Sequence, residues 1–260
     1  MQSTPYAEVN DLLDILRSSL DEILSGKLVG LYAFGSLVTG EFDPDLSDID
    51  LAAAIAADLD DTEYARLETM HAAIAQANPR WDDRIEVGYI SVELLRSFDP
   101  RDCIAVISPG EPFHRRAAND SWLFNLRVLR EHGLTLSGPP PRSLISPIAS
   151  DDLARALGGA MRMWRAWLPD AEPVMHAKPQ AYVILTMCRA LYAHQHAAFV
   201  SKREAARWAA PELPEWSSLI RDALAWYDSR QDMDIDLDAT RTETLRFTRY
   251  VTGRIINDND

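Results

Sequence analysis

The sequence is poor in the features that mark secreted, membrane-bound and metal-thiolate proteins. It has two cysteines, Cys103 and Cys188, which form no metal or redox motif, so we expect free thiols in a reducing cytoplasm. No apolar run is long enough to cross a bilayer, and the first 20 residues lack the basic and apolar regions of a signal peptide. The six histidines show no metal-ligand spacing, and the chain has no internal repeat. The expected class is therefore a cytoplasmic globular protein with no membrane partner.

Basic residues are also in short supply. The 26 Lys and Arg stand against 40 Asp and Glu, which gives a formal net charge of −14. An acidic surface repels phosphate backbones, so nucleic acid is disfavoured as a partner. The same field would attract a cationic small molecule, although excess acid can also serve solubility alone. Charge by itself leaves these two interpretations open.

The periodicity of apolar residues predicts strands and helices in the first half of the chain and helices in the second. A length of 260 residues suits two domains. In the first half we expect helices at 6–24, 62–77 and 122–131 and strands at 28–34, 48–55 and 84–90. The proline-rich segment 137–147 is expected to be a semi-rigid connector. Beyond it we expect helices at 151–167, 179–197, 202–209, 214–227 and 239–256, and an acidic loop at 228–238. Ser201 and Glu204 predict a capping box at the start of the third of these helices.

Two carboxylates stand at the start of an apolar strand, in the stretch "GSLVTGEFDPDLSDIDLAAAI" from Gly35 to Ile55. Asp48 and Asp50 are two residues apart, so an extended chain points both to one face. Two close carboxylates repel unless a cation lies between them. Mg²⁺ accepts a few carboxylate oxygens and completes its shell with water and substrate phosphate. Glu86, on the next predicted strand, could bring a third carboxylate to the same face.

The Gly35–Ser36 pair directly follows the strand predicted at 28–34. A glycine at this place lets the backbone approach a ligand closely. A serine at the start of the next turn offers its hydroxyl and exposed N–H groups to a phosphate. One segment thus combines hydrogen-bond donors for a phosphate with carboxylates for a metal ion, which are the groups that metal-assisted nucleotidyl transfer requires.

The motif "FGSLVTGEFDPDLSDIDL" resembles the signature of the polymerase-β-like nucleotidyltransferase superfamily. In the second half, "LREHGLTLSGPPP" and "YVILTMCRALYAHQHAAFVSKREAARWAAPELPEWSSLIRDALAWY" resemble the aminoglycoside adenylyltransferases that modify streptomycin and spectinomycin. The similarity spans roughly residues 28–227. It implies an α+β fold: a nucleotidyltransferase domain at 1–145 with a mixed sheet and helices, followed by an all-α helical-bundle domain at 146–260.

The resemblance implies a role for each matching residue. Asp48 and Asp50 would hold Mg²⁺, and Glu86 would be the catalytic base that contacts the acceptor. The residues implied for nucleotide binding are Gly35, Ser36, Ser47, Arg189 and Lys202.

The drug-contacting positions match less closely. Trp164 matches a tryptophan of the family, whereas Asp170 lies one position beyond the expected aspartate. A second expected aspartate has only Glu172 nearby, and Pro112 replaces a tryptophan. The segment "FHRR", residues 113–116, could contact phosphate or be a solvated patch.

The sequence therefore predicts a monomeric enzyme that uses ATP and Mg²⁺ to transfer AMP to a hydroxyl of a cationic, aminoglycoside-like acceptor. A protein or another small molecule as acceptor is the first alternative. The second is a non-catalytic nucleotide sensor on the same scaffold.

Overall fold

The computed structural model describes residues 4–168, 176–229 and 236–257. The chain divides into two compact units, Met1–Pro147 and Ile148–Asp260. Within the described residues, no helix combines the length and apolar character that spanning a bilayer requires.

The first unit is built on a mixed sheet. Its described strands are β1 Leu28–Phe34, β2 Ile49–Ile55, β3 Ile85–Ser91, β4 Cys103–Ser108, β5 Glu111–Ala117 and β6 Leu134–Ser137. Its helices are α1 Ala7–Leu24, α2 Ser36–Thr39, α3 Asp61–Ala77, α4 Val92–Arg96, α5 Trp122–His132 and α6 Pro141–Leu144, with 3₁₀ turns at Ser25–Lys27 and Pro79–Trp81. The strand order is β5-β4-β3-β2-β1-β6. β2 and β3 are parallel, and the other neighbouring pairs are antiparallel.

The two faces of this sheet are covered differently. Apolar side chains of α1 and α3 form one buried cluster with alternate strand residues such as Leu51, Val87 and Tyr89. On the opposite face Trp122 of α5 lies against Gly88, where a Cβ would come within 2.3 Å of the indole ring. Gly88 thus gives room for a large aromatic side chain over the centre of β3.

The expected elements of this unit are present with small shifts, and several others were not predicted. β2 begins at Ile49, so Asp48 lies just before the strand instead of in it. Segment 137–147, expected to be a semi-rigid connector, contains the last residue of β6 and the short helix α6. No strand was predicted at β4, β5 or β6. β6 has only four residues and β5 alternates only weakly, whereas β4, with the sequence CIAVIS, is an apolar run that the sequence pattern could have revealed.

The second unit is helical throughout its regular structure. Its described helices are α7 Ser150–Trp167, α8 Ala177–His196, α9 Lys202–Glu212, α10 Ser217–Asp228 and α11 Leu237–Asn257, with a 3₁₀ turn at Pro214–Trp216. α8 is central and contacts each of the other four helices. Of the capping box predicted before α9, the bond from the Glu204 amide to the Ser201 hydroxyl is present at 3.0 Å. The expected fold class, a mixed-sheet α+β domain followed by a helical one, is confirmed.

α11 carries a threonine stripe that faces the interior of this unit. Thr244, Thr248 and Thr252 are fully buried, and each hydroxyl donates to the carbonyl four residues earlier. Gln180 of α8 is also fully buried and accepts a second bond from Thr244 at 3.1 Å. Because each hydroxyl is satisfied within its own helix, the stripe can be buried at little cost.

Candidate active site

Asp50 and Glu86 are brought together by the parallel pairing of β2 and β3. Their Cα atoms are partners in the register, and both side chains are half-buried. Directly paired residues of neighbouring strands point to the same face, and the strands lie about 4.8 Å apart. On its other side Asp50 is paired with Phe34, the last residue of β1. The end of β1 and the starts of β2 and β3 therefore meet at one edge of the sheet.

Gly35 lies directly against the Asp50 carboxylate. Its φ is +65°, which disfavours any residue with a Cβ, and a Cβ built there would lie 1.8 Å from Oδ2 of Asp50. Gly35 thus leaves room for the Asp50 carboxylate, and its expected close approach to a bound nucleotide stays a prediction. Ser36 follows as the first residue of the short helix α2.

Asp48 is exposed and is carried by the loop that leads into β2. Ser47, in contrast, is buried, and its hydroxyl accepts a hydrogen bond from the Asp43 amide at 3.0 Å. The Ser47 side chain therefore organises the loop that presents Asp48, and its contact with nucleotide stays a prediction.

Arg84, the residue just before β3, holds this loop in place. Nη2 of Arg84 donates to the carbonyl oxygens of Pro44, at 3.0 Å, and Ser47, at 2.5 Å. Burial lowers the pKa of Arg84, and the Asp48 carboxylate acts in the opposite direction. Sequence reasoning missed Arg84, since arginines that bind main-chain carbonyls follow no motif.

The residues before Arg84 contact α1, the loop that carries Asp48 and the β4–β5 turn at the same edge. Arg80 forms ion pairs with Glu8 and, at 2.9 Å, with Asp45. Asp83 accepts a hydrogen bond from the amide of Gly110, in the turn between β4 and β5, at 2.6 Å. The segment 80–84 thus connects the loop that carries Asp48 with the β4–β5 turn.

The donor set at this edge suits Mg²⁺. Among the described residues, no group of three or more His, Cys, Asp or Glu side chains is arranged to hold a metal ion. Glu86 faces the same side of the sheet as Asp50, as expected, and Asp48 and Asp50 remain the candidate metal ligands. Two carboxylates with positions left for water and phosphate fit a hard cation that keeps part of its hydration shell.

The segment "FHRR" is mostly structural. Phe113 is buried and stacks on Tyr64 with ring centroids 4.6 Å apart. The Arg115 guanidinium lies 4.4 Å from the centroid of the Tyr64 ring, and it pairs with Asp61 at 3.2 Å. These two residues connect β5 with α3. Phe113 is buried and does not belong to a solvated patch, whereas Arg115 is exposed, and contact of this segment with phosphate stays a prediction.

In the second unit, Trp164 and Lys202 both lie close to Tyr182. Lys202, the first residue of α9, has its ammonium 4.4 Å from the centroid of the Tyr182 ring and 5.4 Å from that of Tyr227. Trp164 of α7 lies 6.5 Å from Tyr182, centroid to centroid. We call Trp164, Tyr182, Lys202 and Tyr227 the Tyr182 cluster. It brings a predicted acceptor residue and a predicted nucleotide residue to one surface.

Of the two other site residues predicted in this unit, Arg189 and Asp170, the structure describes only Arg189. Arg189 lies on α8 seven residues after Tyr182, which is about two helical turns along the same side. Asp170 lies outside the described residues, as does Glu172.

Comparison with known proteins gives two consistent matches along the chain. The family model of the nucleotidyltransferase domain matches residues 13–123, and that of the aminoglycoside adenylyltransferase C-terminal domain matches residues 143–253. The chain belongs to the aminoglycoside adenylyltransferase family of nucleotidyltransferases. As a member of this family it is an enzyme that transfers a nucleotidyl group.

A solved structure of this family has the same fold over nearly the whole chain. It is the spectinomycin adenyltransferase AAD(9) from Enterococcus faecialis, solved with ATP and spectinomycin. The two proteins are 16% identical, the TM-score is 0.74, and the match covers 92% of this chain and 98% of the other. A comparison with curated protein sequences found no match.

The two family matches divide the predicted site residues between them. Gly35, Ser36, Ser47, Asp48, Asp50 and Glu86 fall in the nucleotidyltransferase match, and Trp164, Asp170, Arg189 and Lys202 fall in the C-terminal match. Tyr182 and Tyr227 were missed from the sequence. A tyrosine in an otherwise apolar helix face is usually core, and only the 49% exposure of Tyr182 shows that it is not.

Proposed function

We propose that this adenylyltransferase-family enzyme transfers AMP from ATP to a hydroxyl of an aminoglycoside-like antibiotic of the streptomycin and spectinomycin class and releases pyrophosphate. The observation that carries the proposal is the pairing of Asp50 with Glu86 at the sheet edge next to Gly35. One carboxylate can bind a metal while the other, one strand away, accepts a proton.

Each residue of the first unit has a defined task in this proposal. Asp48 and Asp50 would hold Mg²⁺, which when bound screens the triphosphate charge and makes the α-phosphorus more electrophilic. Ser36 would hydrogen-bond a phosphate oxygen. Glu86 accepts the proton of the acceptor hydroxyl, whose oxygen forms a bond to the α-phosphorus as the bond to pyrophosphate breaks.

The second unit would supply positive charge and an acceptor surface. We propose that Arg189 and Lys202 bind the ATP phosphates and that Trp164 and Asp170 contact the acceptor. Tyr182 touches both Lys202 and Trp164. It would therefore fix the position of Lys202, which binds nucleotide in this proposal, relative to Trp164, which contacts the acceptor. The structural neighbour was solved with both ATP and spectinomycin, which supports two small-molecule substrates for this fold.

The charge of the chain supports a cationic acceptor. A net charge of −14 raises the local concentration of polycations and speeds their association at low salt. Pro112 stands at the start of β5 where the family resemblance leads us to expect a tryptophan. The acceptor must therefore be found by a screen instead of being assumed.

The test is a pyrophosphate-release screen. Streptomycin, spectinomycin and further aminoglycosides are each combined with ATP, GTP, CTP or UTP, with Mg²⁺ and with a chelator. We expect release with ATP and at least one aminoglycoside, abolished by the chelator. If no aminoglycoside is modified and label from ATP enters protein in a cell extract, the acceptor is a protein. Nucleotide binding without release for any acceptor would establish a sensor.

A further inference from the structure

Arg84 is attached at three points to the segment that carries Asp48. Its side chain donates to the carbonyls of Pro44 and Ser47, and its own carbonyl accepts a hydrogen bond from the Ile49 amide at 2.9 Å. Asp48 lies between two of these anchored residues, Ser47 and Ile49. The position of Asp48 therefore depends on Arg84 directly.

The guanidinium of Arg84 is itself held by an aromatic ring. Its Cζ lies 4.8 Å from the centroid of the Trp81 ring, and Trp81 is buried and stacked on Phe42. A guanidinium fixed against a buried ring loses less entropy when it binds two carbonyls than a free side chain would. Arg84 is thus a rigid link between the loop and the start of β3.

The same residue stands two positions before Glu86 of β3. Arg84 consequently connects the loop that carries one predicted metal ligand to the strand that carries the predicted base. Partners that orient metal ligands from outside the coordination shell commonly change metal affinity by about 10- to 100-fold when they are lost.

We propose that Arg84 is a positioning residue that fixes Asp48 for metal binding relative to Glu86. The inference rests on the proposed function, because it takes Asp48 to be a metal ligand. It assigns to Arg84 no contact with substrate.

The test measures the affinity for Mn²⁺, by the loss of the free-ion electron paramagnetic resonance signal, without nucleotide. Arg84→Met removes both carbonyl bonds, and we expect Mn²⁺ binding to weaken about tenfold. Arg84→Lys keeps the charge and an ammonium with three N–H donors, but it loses the planar guanidinium, so it should weaken binding only about threefold and rescue part of the loss. Hydrogen exchange of amides 43–49 in the metal-free protein should speed up in Arg84→Met.

The matched control is Arg80→Met. Arg80 lies against the same Trp81 ring, 5.5 Å from its centroid, but it pairs with the side chains of Glu8 and Asp45. We expect its Mn²⁺ affinity to stay within about twofold of wild type, since surface ion pairs contribute little.

Two failures can be told apart. If wild type binds Mn²⁺ and Arg84→Met binds it equally well or more tightly, the positioning role is wrong while the proposed function stands. If wild type binds no Mn²⁺ without nucleotide, the two carboxylates do not form a metal site by themselves and the inference falls, while the proposed function is judged by the pyrophosphate-release screen. Should Arg84→Met not fold, Arg84→Lys still decides, because unchanged Mn²⁺ affinity in that variant would overturn the role of the Arg84 guanidinium.

Discussion

Asp50 of β2 and Glu86 of β3 are direct partners in the register of these two parallel strands. A slip of one residue would send Glu86 to the opposite face, among the apolar side chains that pack against α1 and α3. The parallel pairing thus places a predicted metal ligand and a predicted base on one face. The chemistry of the site depends on this register as much as on the residue types.

The contact between Gly35 and Asp50 predicts a sharp response to an added methyl group. In Gly35→Ala the new Cβ would occupy the position of Oδ2 of Asp50, so the carboxylate must move. We expect turnover to fall by about 100-fold, the effect typical of a misplacement of about 1 Å at a reacting centre. Steady-state kinetics, with a melting curve to confirm folding, measure it.

Gly40→Ala is the matched control for this change. Gly40 lies at the other end of α2 with a similar φ of +78°, but a Cβ added there would meet no atom within 4 Å. An alanine costs about 1 kcal/mol in the left-handed helical region that Gly40 occupies. Gly35 has a ψ of −144°, which places it in a region adopted almost only by glycine, so Gly35→Ala bears the larger backbone strain. Equal losses of turnover in the two variants would show that the contact with the Asp50 carboxylate is not responsible.

The buried His71 predicts a loss of stability in mild acid. Its Nε2 lies 2.8 Å from the hydroxyl oxygen of Tyr89, and burial lowers the pKa of His71 to about 4 from an ordinary value of 6.5. Between these values the unfolded chain binds a proton that the folded protein does not bind, so stability falls as the pH falls. We expect the free energy of unfolding to drop by about 2 kcal/mol from this group between pH 7 and pH 5. Urea unfolding at both pH values measures it.

His71→Gln isolates this contribution. The amide can still form a hydrogen bond to Tyr89 but does not titrate. The difference in free energy of unfolding between wild type and His71→Gln should therefore change with pH over this window. If the free energies of unfolding of the two proteins change with pH in parallel, carboxylates alone govern the loss of stability in acid.

The Tyr182 cluster predicts that the ring of Tyr182, and not its hydroxyl, supports ATP binding. Tyr182→Phe keeps an aromatic face under the Lys202 ammonium, whereas Tyr182→Leu removes it. We expect the KM for ATP to rise about two- to fivefold in Tyr182→Leu and to stay unchanged in Tyr182→Phe, given the strength of exposed cation–π contacts. If the two variants behave alike, the ring has no such role.

The sequence predicted the elements that have a strong pattern. The apolar run of β1 and the alternation along β3 gave these strands almost to the residue, and Asp48, Asp50 and Glu86 stood out as charges beside apolar strands. It could not show that Asp50 and Glu86 share a register position, because alternation fixes the face of a strand but not its partner. That information lies only in the long-range pairing.

Other features were not predicted from the sequence, for reasons that are local to each. β5, with the sequence EPFHRRA, is an edge strand with exposed and charged residues, so its alternation is weak. Arg84 binds backbone carbonyls, and Tyr182 presents a ring face to Lys202. Neither kind of contact requires a particular spacing of residues in the sequence. Asp60 and Glu63 form a capping box at α3 that the sequence pattern could have revealed.

The most direct test of the account is transfer from ATP labelled at the α-phosphate to spectinomycin or streptomycin by wild type and Glu86→Gln. The glutamine is nearly isosteric but cannot accept the proton. We expect wild type to form labelled antibiotic and pyrophosphate in equal amounts, and Glu86→Gln to bind ATP but form neither product. Full turnover by Glu86→Gln, or no labelled antibiotic with wild type, would contradict the account.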